Sequence, residues 1–395
     1  SSMLTGATTL LQYFADEVAL SSLVFWTFGD LGSTDWQSLR GMALAVLLLI
    51  GVMAGCSNVT YVARVNGTEV PLRYYTVNML LTKIQLETAY GDSYKDYMQQ
   101  QNGTNPEKTN AEVLDEAAKK TFERLYLNLL KVTEMGLPAN EVQLEFYKAE
   151  YEYFRSIFAS NADFDLFLRE AGVSEEELQE VYLINTVYPD LIKNYFYDKD
   201  VGIEAYTEQD VRDYFDENAQ YVIKHILFQV ATEDADGNPL SESEIAANDA
   251  AAKQEAEETL AKIRSGELEF DSAMNELTDD SSVAMYPDGY GFTAEDDFVN
   301  EAFKQAGAEL QPGEMGIYRS EEFGYHIIQA IDRDAFFEAQ SEVYEEAMVT
   351  ELLEEKYARW AEDVQFDYNE AALKKYSFAN MGRSRIKLNP NALGS

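Results

Sequence analysis

Histidine occurs only twice in this sequence of 395 residues, at positions 225 and 326. Each sits inside a short apolar run, Lys224-His225-Ile226-Leu227 and Gly324-Tyr325-His326-Ile327-Ile328. Such runs read as buried strands, and a buried imidazole without a partner is costly. With no third histidine, the two rings could satisfy each other, one donating and one accepting. Between them lies a polar knot, Thr278-Asp279-Asp280-Ser281-Ser282, whose Asp280 can fix a tautomer by accepting from one ring. Any fold for this chain therefore has to solve the same problem: where two strand histidines, about a hundred residues apart, find their partners.

The stretch from 221 to 333 carries its own complement of elements. Tyr221 to Val230 has strand length and strand composition. Ser241 with Glu244 caps a helix that runs to Arg264 and stops at Gly266. Phe270, Ala273, Met274 and Leu277 lie at helical spacing just before the knot. Gly289-Tyr290-Gly291-Phe292 reads as a turn or bulge, and Phe298, Ala302, Phe303 and Ala306 mark another short helix. Pro312-Gly313 is a turn, and Met315–Tyr318 and Tyr325–Ile331 read as strands. This order predicts a compact α+β domain.

Its flanks are helical. Tyr61 to Val70 alternates around Asn66-Gly67, a two-residue hairpin signal, and a helix follows over 71–90. Residues 91–110 read as a loop. Helices are predicted over 111–135, 141–159, 162–171 and 175–197, the last opened by Ser174 with Glu177, and Thr207 with Asp210 opens another to about Asn218. The aromatics of this region, among them Tyr151, Phe154, Phe158, Phe164, Phe167 and Tyr182, suit either a cradle for unfolded apolar chain or ordinary helix packing. From Asp334 to about 363 the pattern is again helical but has no core of its own, so it is expected to pack back on the amino-terminal helices. The α+β domain, 221–333, would then be inserted in a helical body formed by 56–220 and 334–379. The tail, 380–395, carries Arg383, Arg385 and Lys387 and is expected to be unstructured.

Thirty basic against 71 acidic residues give a net charge of −41. That excludes nucleic acid as a partner, since phosphate binding needs clustered Lys and Arg. It also disfavours adsorption to anionic lipid, while an acidic surface suits solubility and could attract basic polypeptide segments. The single cysteine, Cys56, rules out an intramolecular disulfide. It ends an uncharged apolar run over 42–55, too short for a bilayer span but suited to an export signal.

Met53-Ala54-Gly55-Cys56-Ser57 resembles the lipobox of bacterial lipoproteins. The resemblance implies diacylation of Cys56, cleavage before it, and a chain anchored at the extracytoplasmic face of a cell membrane, of Gram-positive type; two acyl chains suffice for stable anchoring. Residues 1–41 stand apart as an unassigned leader. Leu10 to Leu39, with Phe25-Trp26-Thr27-Phe28-Gly29-Asp30-Leu31-Gly32, resembles a piece of an importer permease, as a fusion would leave.

His-Ile-Leu on the first strand, Asp-Ser-Ser in the knot, the glycine-containing turn, Phe-x-x-x-x-Phe, Pro-Gly-Glu and Gly-Tyr-His-Ile-Ile together resemble the parvulin family of peptidylprolyl cis–trans isomerases. The strand, Asn-Gly turn, strand and helix after Cys56 resemble the start of the PrsA and SurA chaperones. The resemblance implies a mostly helical, SurA-N-like chaperone body with an inserted parvulin-like α+β domain. It implies His225, Asp280 and His326 as the catalytic group, and Phe298 as the proline-pocket aromatic with Phe303 packed behind it. Tyr290 and Ser320 complete the expected substrate-binding set. Tyr290 stands where the family has Leu, and Ala294 where many members have Met, so the rim departs from the pattern. The acidic loop after the first strand would repel phosphate, which argues against phosphoserine-directed substrates. No cofactor or metal is implied, although two histidines and an aspartate could bind a metal. Partners would be unfolded or newly secreted polypeptides, with a homodimer left open. The implied function is a membrane-anchored isomerase and chaperone for secreted proteins; the alternative is a non-catalytic holdase with a degenerate parvulin domain.

Overall fold

The computed structural model describes residues 59–392 apart from 200, 235, 236, 298 and 391. The leader, the apolar run, Cys56 and Phe298 lie outside the described residues. In chain order the elements are β1 (Tyr61–Val65), β2 (Thr68–Pro71), α1 (Arg73–Tyr90), α2 (Tyr94–Gln99), α3 (Asn110–Met135), α4 (Glu141–Ser156), α5 (Asn161–Ala171), α6 (Glu175–Thr186), α7 (Tyr188–Tyr197) and α8 (Glu208–Asn218). There follow β3 (Tyr221–Gln229), α9 (Glu242–Ser265), α10 (Phe270–Leu277), β4 (Tyr290–Phe292), α11 (Glu301–Glu309), β5 (Met315–Ser320), β6 (Gly324–Ala330), α12 (Arg333–Glu362), β7 (Phe366–Tyr368) and α13 (Glu370–Lys375). The class is α+β. Two compact units divide the described residues, one built from those up to Ala205 together with those from Leu352, the other from Tyr206–Glu351.

In the helical unit, Asn66 and Gly67 both take positive φ, 51° and 79°, as a type I′ turn between β1 and β2 requires. Capping boxes open α3, α4 and α6, and Gly136 closes α3 in the left-handed conformation. The single helix expected over 175–197 is two helices, because Pro189 stands in the first turn of α7 and cannot donate into the turn before it. The stretch read as a loop over 91–110 contains α2, seated by buried Tyr94 and Met98. The aromatic set resolves to packing: Tyr151, Phe154, Phe158, Phe164, Phe167 and Tyr182 are all buried in the main core. Residues 352–362 of α12 pack within this unit, where the Arg124 fork meets Glu354 at 2.6 and 2.7 Å and Tyr357 bonds Asn128.

Two further features were not read from the sequence. β7 adds a third strand to the hairpin, giving the order β2-β1-β7. The tail, expected to be unstructured, is instead held by hydrogen bonds over 384–389, and Ile386 is buried. Carboxylates supply the partners that a polar, basic tail lacks internally.

The second unit is built on an antiparallel sheet of order β4-β3-β6-β5. One face carries Ile226, Phe228, Tyr325 and Ile327 against α9 and α10. The other carries Ile223 and Ile328 with Phe292, Ala306 and Phe303. Because β-strand side chains alternate, His225 and His326 fall on this second face with Ile223 and Ile328. Gly289-Tyr290-Gly291-Phe292 is a turn leading into β4, which covers only Tyr221–Ile223 of β3.

Candidate active site

The short reach of β4 leaves part of the β3 edge open, and the polar knot fills it. Leu227 N–H donates to Thr278 Oγ1 at 3.0 Å, and Gln229 N–H donates to Asp279 Oδ2 at 2.7 Å. Asp279 N–H returns a bond to Leu227 O at 2.9 Å. These bonds fix Asp280 beneath β3. Its Oδ1 accepts from Ser282 N–H at 2.8 Å, and its Oδ2 lies 3.0 Å from His225 Nε2.

β3 and β6 pair with His225 opposite Ile328 and His326 opposite Leu227. The two histidines are thus diagonal neighbours on one face, within reach of each other. Their ring centroids stand 5.4 Å apart with planes at 62°. They do not bond each other as expected: each ring uses Nε2 elsewhere, and both Nδ1 atoms are buried without a partner.

The partners dictate the tautomers. Facing a carboxylate, His225 carries its proton on Nε2 and donates to Asp280. Ser320 Oγ accepts from Phe323 N–H and Gly324 N–H, both at 3.2 Å. Its hydroxyl therefore donates to His326 Nε2 at 2.9 Å in preference to the 3.5 Å approach to Gly324 O. His326 then carries its proton on Nδ1. One Nδ1 is thus an acceptor and the other a donor, the complementary pair that the composition argument allowed, but no hydrogen bond joins them.

Both rings are neutral. Burial lowers the His225 pKa against the opposing pull of Asp280. Burial, reinforced by neighbouring His225, lowers that of His326 to about 4. Burial would raise the Asp280 carboxyl, but the Ser282 hydrogen bonds and His225 outweigh it and hold it below the usual range.

Phe303 lies directly on the pair, 4.8 Å from His225 and 5.1 Å from His326 between centroids. Tyr290 lies over His225 at 5.6 Å, and Tyr286 over Tyr290 at 4.8 Å. Sequence reasoning missed Tyr286; its place four residues before Tyr290, just after the knot, was the available signal. Ser320 differs from expectation: its hydroxyl is taken up by Phe323 N–H, Gly324 N–H and His326, so it holds His326 in place rather than offering a group to substrate. Gly324, at φ 131°, lets β6 begin there, since a Cβ would stand 2.5 Å from Phe228 O. Among the described residues no cluster of three or more His, Cys, Asp or Glu side chains could hold a metal ion. What the geometry offers is a neutral, aromatic-lined floor whose polar groups are held from below, with no activated nucleophile.

A profile of the PPIC-type PPIase domain matches residues 210–334. These residues form a parvulin-type peptidylprolyl isomerase domain. The parvulin domain sits in a chain 25% identical over 314 residues to the foldase protein PrsA of Clostridium perfringens, covering 71% of this chain and 79% of that one. A solved structure of PrsA from Bacillus subtilis is similar at 17% identity and a TM-score of 0.26, covering 71% of this chain and 90% of that one. A further likeness, 47% over 47 residues, is to an ABC transporter permease protein of Methanocaldococcus jannaschii. It covers 12% of this chain, which spans 14% of the permease's length.

Proposed function

We propose that this chain is an extracytoplasmic foldase whose parvulin domain isomerises X–Pro bonds in unfolded or newly secreted polypeptides, and that the helical unit holds the client meanwhile. The observation that carries the reading is the neutral imidazole pair, fixed from below by Asp280 and Ser320 and covered by Phe303 and Tyr290. Rotation about the prolyl bond faces a barrier of roughly 20 kcal/mol from amide resonance. A dry apolar floor disfavours the charge-separated planar amide relative to the twisted one, and hydrogen bonds that fit only the twisted state add to this. Phe298 is proposed to grip the proline ring. His225, His326 and Asp280 keep the floor polar yet satisfied, and Ser320 acts as a positioning residue.

A protease-coupled proline assay tests the reading. His225→Ala, Asp280→Ala and Phe298→Ala should each slow turnover, and a wild-type rate no faster than these variants would overturn it. The holdase alternative draws support from one feature, the Tyr290 ring where the family carries Leu, which narrows the approach to His225. Suppression of client aggregation without prolyl turnover would favour that alternative.

The lipid anchor on Cys56 rests on the lipobox residues. No helix among the described residues is long and apolar enough to cross a membrane. Mass spectrometry of the mature amino terminus decides the matter: a diacylated Cys56 is expected, and an unlipidated chain retaining Met3 would refute it.

A further inference from the structure

From residue 371 to the end the chain carries five Lys or Arg and no acidic side chain, in a protein of net charge −41. Residues 383–389 of this basic tail form neither helix nor sheet but run extended over the helical unit. Their burial alternates as a strand's does: Arg383, Arg385 and Lys387 face water, while Ile386 between them is buried.

The groove beneath holds the tail mainly by its backbone. Ser384 N–H donates to Glu87 Oε2 at 3.0 Å, and Lys387 N–H donates to Asp163 Oδ1 at 3.0 Å. Ala159 N–H donates to Lys387 O at 2.9 Å, and Asn389 N–H to Ile157 O at 2.7 Å, with a single β-bridge between Phe158 and Leu388. Side chains add further contacts, Ser384 Oγ to Glu170 at 2.8 Å, Arg383 to Asp92 at 2.7 Å and Asn389 Nδ2 to Ser156 O at 3.3 Å. Buried Lys83 already balances Glu87 from the other side, at 2.5 Å. Asp92, Asp163 and Glu170 therefore set the negative charge of the groove. Main-chain amides are common to every polypeptide, so a site that reads them is tolerant of sequence. What selects is the acidic rim and the apolar slot under Ile386.

We propose that this groove is a polypeptide-binding site, filled in cis by the tail, that accepts in trans an extended client segment with an apolar residue flanked by Lys or Arg. The tail is then a displaceable plug. The proposal rests on the chaperone part of the function above, not on its prolyl chemistry, and concerns only the helical unit. A tethered plug competes at an effective concentration in the millimolar range. A free peptide should therefore bind the plugged chain at least about tenfold more weakly than an unplugged one.

The test uses a labelled peptide of residues 380–392 and fluorescence anisotropy with the chain lacking residues 382–395. Saturable binding is expected, at least about tenfold tighter than to the full chain. It should weaken in about 1 M salt, where the Debye length is about 3 Å. The same peptide with Ile386→Asp, or an acidic counterpart with Glu at 383, 385 and 387, should not compete. Equal binding to both chains, or none to a truncated chain whose circular dichroism shows it folded, overturns the proposal. Should truncation unfold the body, Lys387→Pro in the full chain removes the amide that meets Asp163. That variant should bind the peptide more tightly than wild type, and unchanged affinity overturns the proposal. Prolyl turnover is measured in parallel; its retention while peptide binding fails, or the reverse, separates this proposal from the isomerase reading.

Discussion

Acidification should loosen the parvulin domain through His326 before it touches Asp280. The folded pKa of His326 is about 4, against 6.5 for the unfolded chain. Between these values the unfolded state binds the extra proton, so stability falls as the pH drops through that window and is flat above it. The difference of about 2.5 units corresponds to about 3 kcal/mol lost by pH 4. His225 is shifted in the same direction, so its loss adds to this one. Asp280 is lowered as well; its contribution is intact above the ordinary aspartate range and is lost only at lower pH. The perturbation is His326→Gln, whose side-chain oxygen can still accept from the Ser320 hydroxyl but does not titrate. Amide hydrogen exchange of β3 and β6 at pH 7, 5.5 and 4.5 gives the opening free energy of this unit in the full chain. Wild type should lose stability down the series, and the variant should keep most of it. Because the rest of the acidic surface titrates identically in both, the difference between the two slopes is the quantity that counts. Equal slopes would refute the buried neutral imidazole.

Ser320→Ala removes one hydroxyl that accepts two amides and donates to His326, and should cost about 2–4 kcal/mol in urea unfolding together with a shifted pH–rate profile. Gly324→Ala drives a Cβ against Phe228 O and should destabilise the sheet by about 3 kcal/mol, read as the urea midpoint. Tyr290→Leu should raise prolyl turnover if the ring over His225 obstructs the rim, and a turnover unchanged from wild type would contradict that. In the helical unit the sign of pH dependence reverses: burial raises Asp115 to about 6, so that unit should gain stability as the pH falls from 6 towards 4. With screening of its exposed part the gain is about 1 kcal/mol, and Asp115→Asn, which can still accept from Phe378 N–H, should abolish it in hydrogen exchange of the helical unit.

What the sequence made legible was whatever local chemistry decides. Asn66-Gly67 could only be a tight turn, and Ser241 with Glu244 could only sensibly open a helix. The histidines were readable because a polar ring in an apolar strand demands a partner, and Asp280 stood at the centre of the polar knot between them. The partner of His326 was not readable in that way. Ser320 looks like any serine before a strand, and only the turn at Phe323–Gly324 folds its hydroxyl back onto the ring. The same holds for β7 and the tail. Three residues, Phe-Asp-Tyr, are too few to show a period, and a basic, glycine-containing terminus carries no internal reason to be ordered. Their order comes from residues two to three hundred positions earlier, such as Glu87 and Asp163.

The joining of β7 to β1 bears on the order in which this protein can assemble. Asn369 donates to Tyr61 O across 308 residues, so the small sheet is completed only when nearly the whole chain is present. A chain made or exported from its amino terminus would hold β1, β2 and α1 without that strand for most of its emergence. The cost of closing so long a connection grows only slowly with length, about 0.6 kcal/mol per doubling, and falls further once Tyr206–Glu351 has collapsed into a unit of its own. Maturation of the helical body would thus wait on the isomerase domain, giving a foldase whose own last folding step follows the completion of its catalytic part.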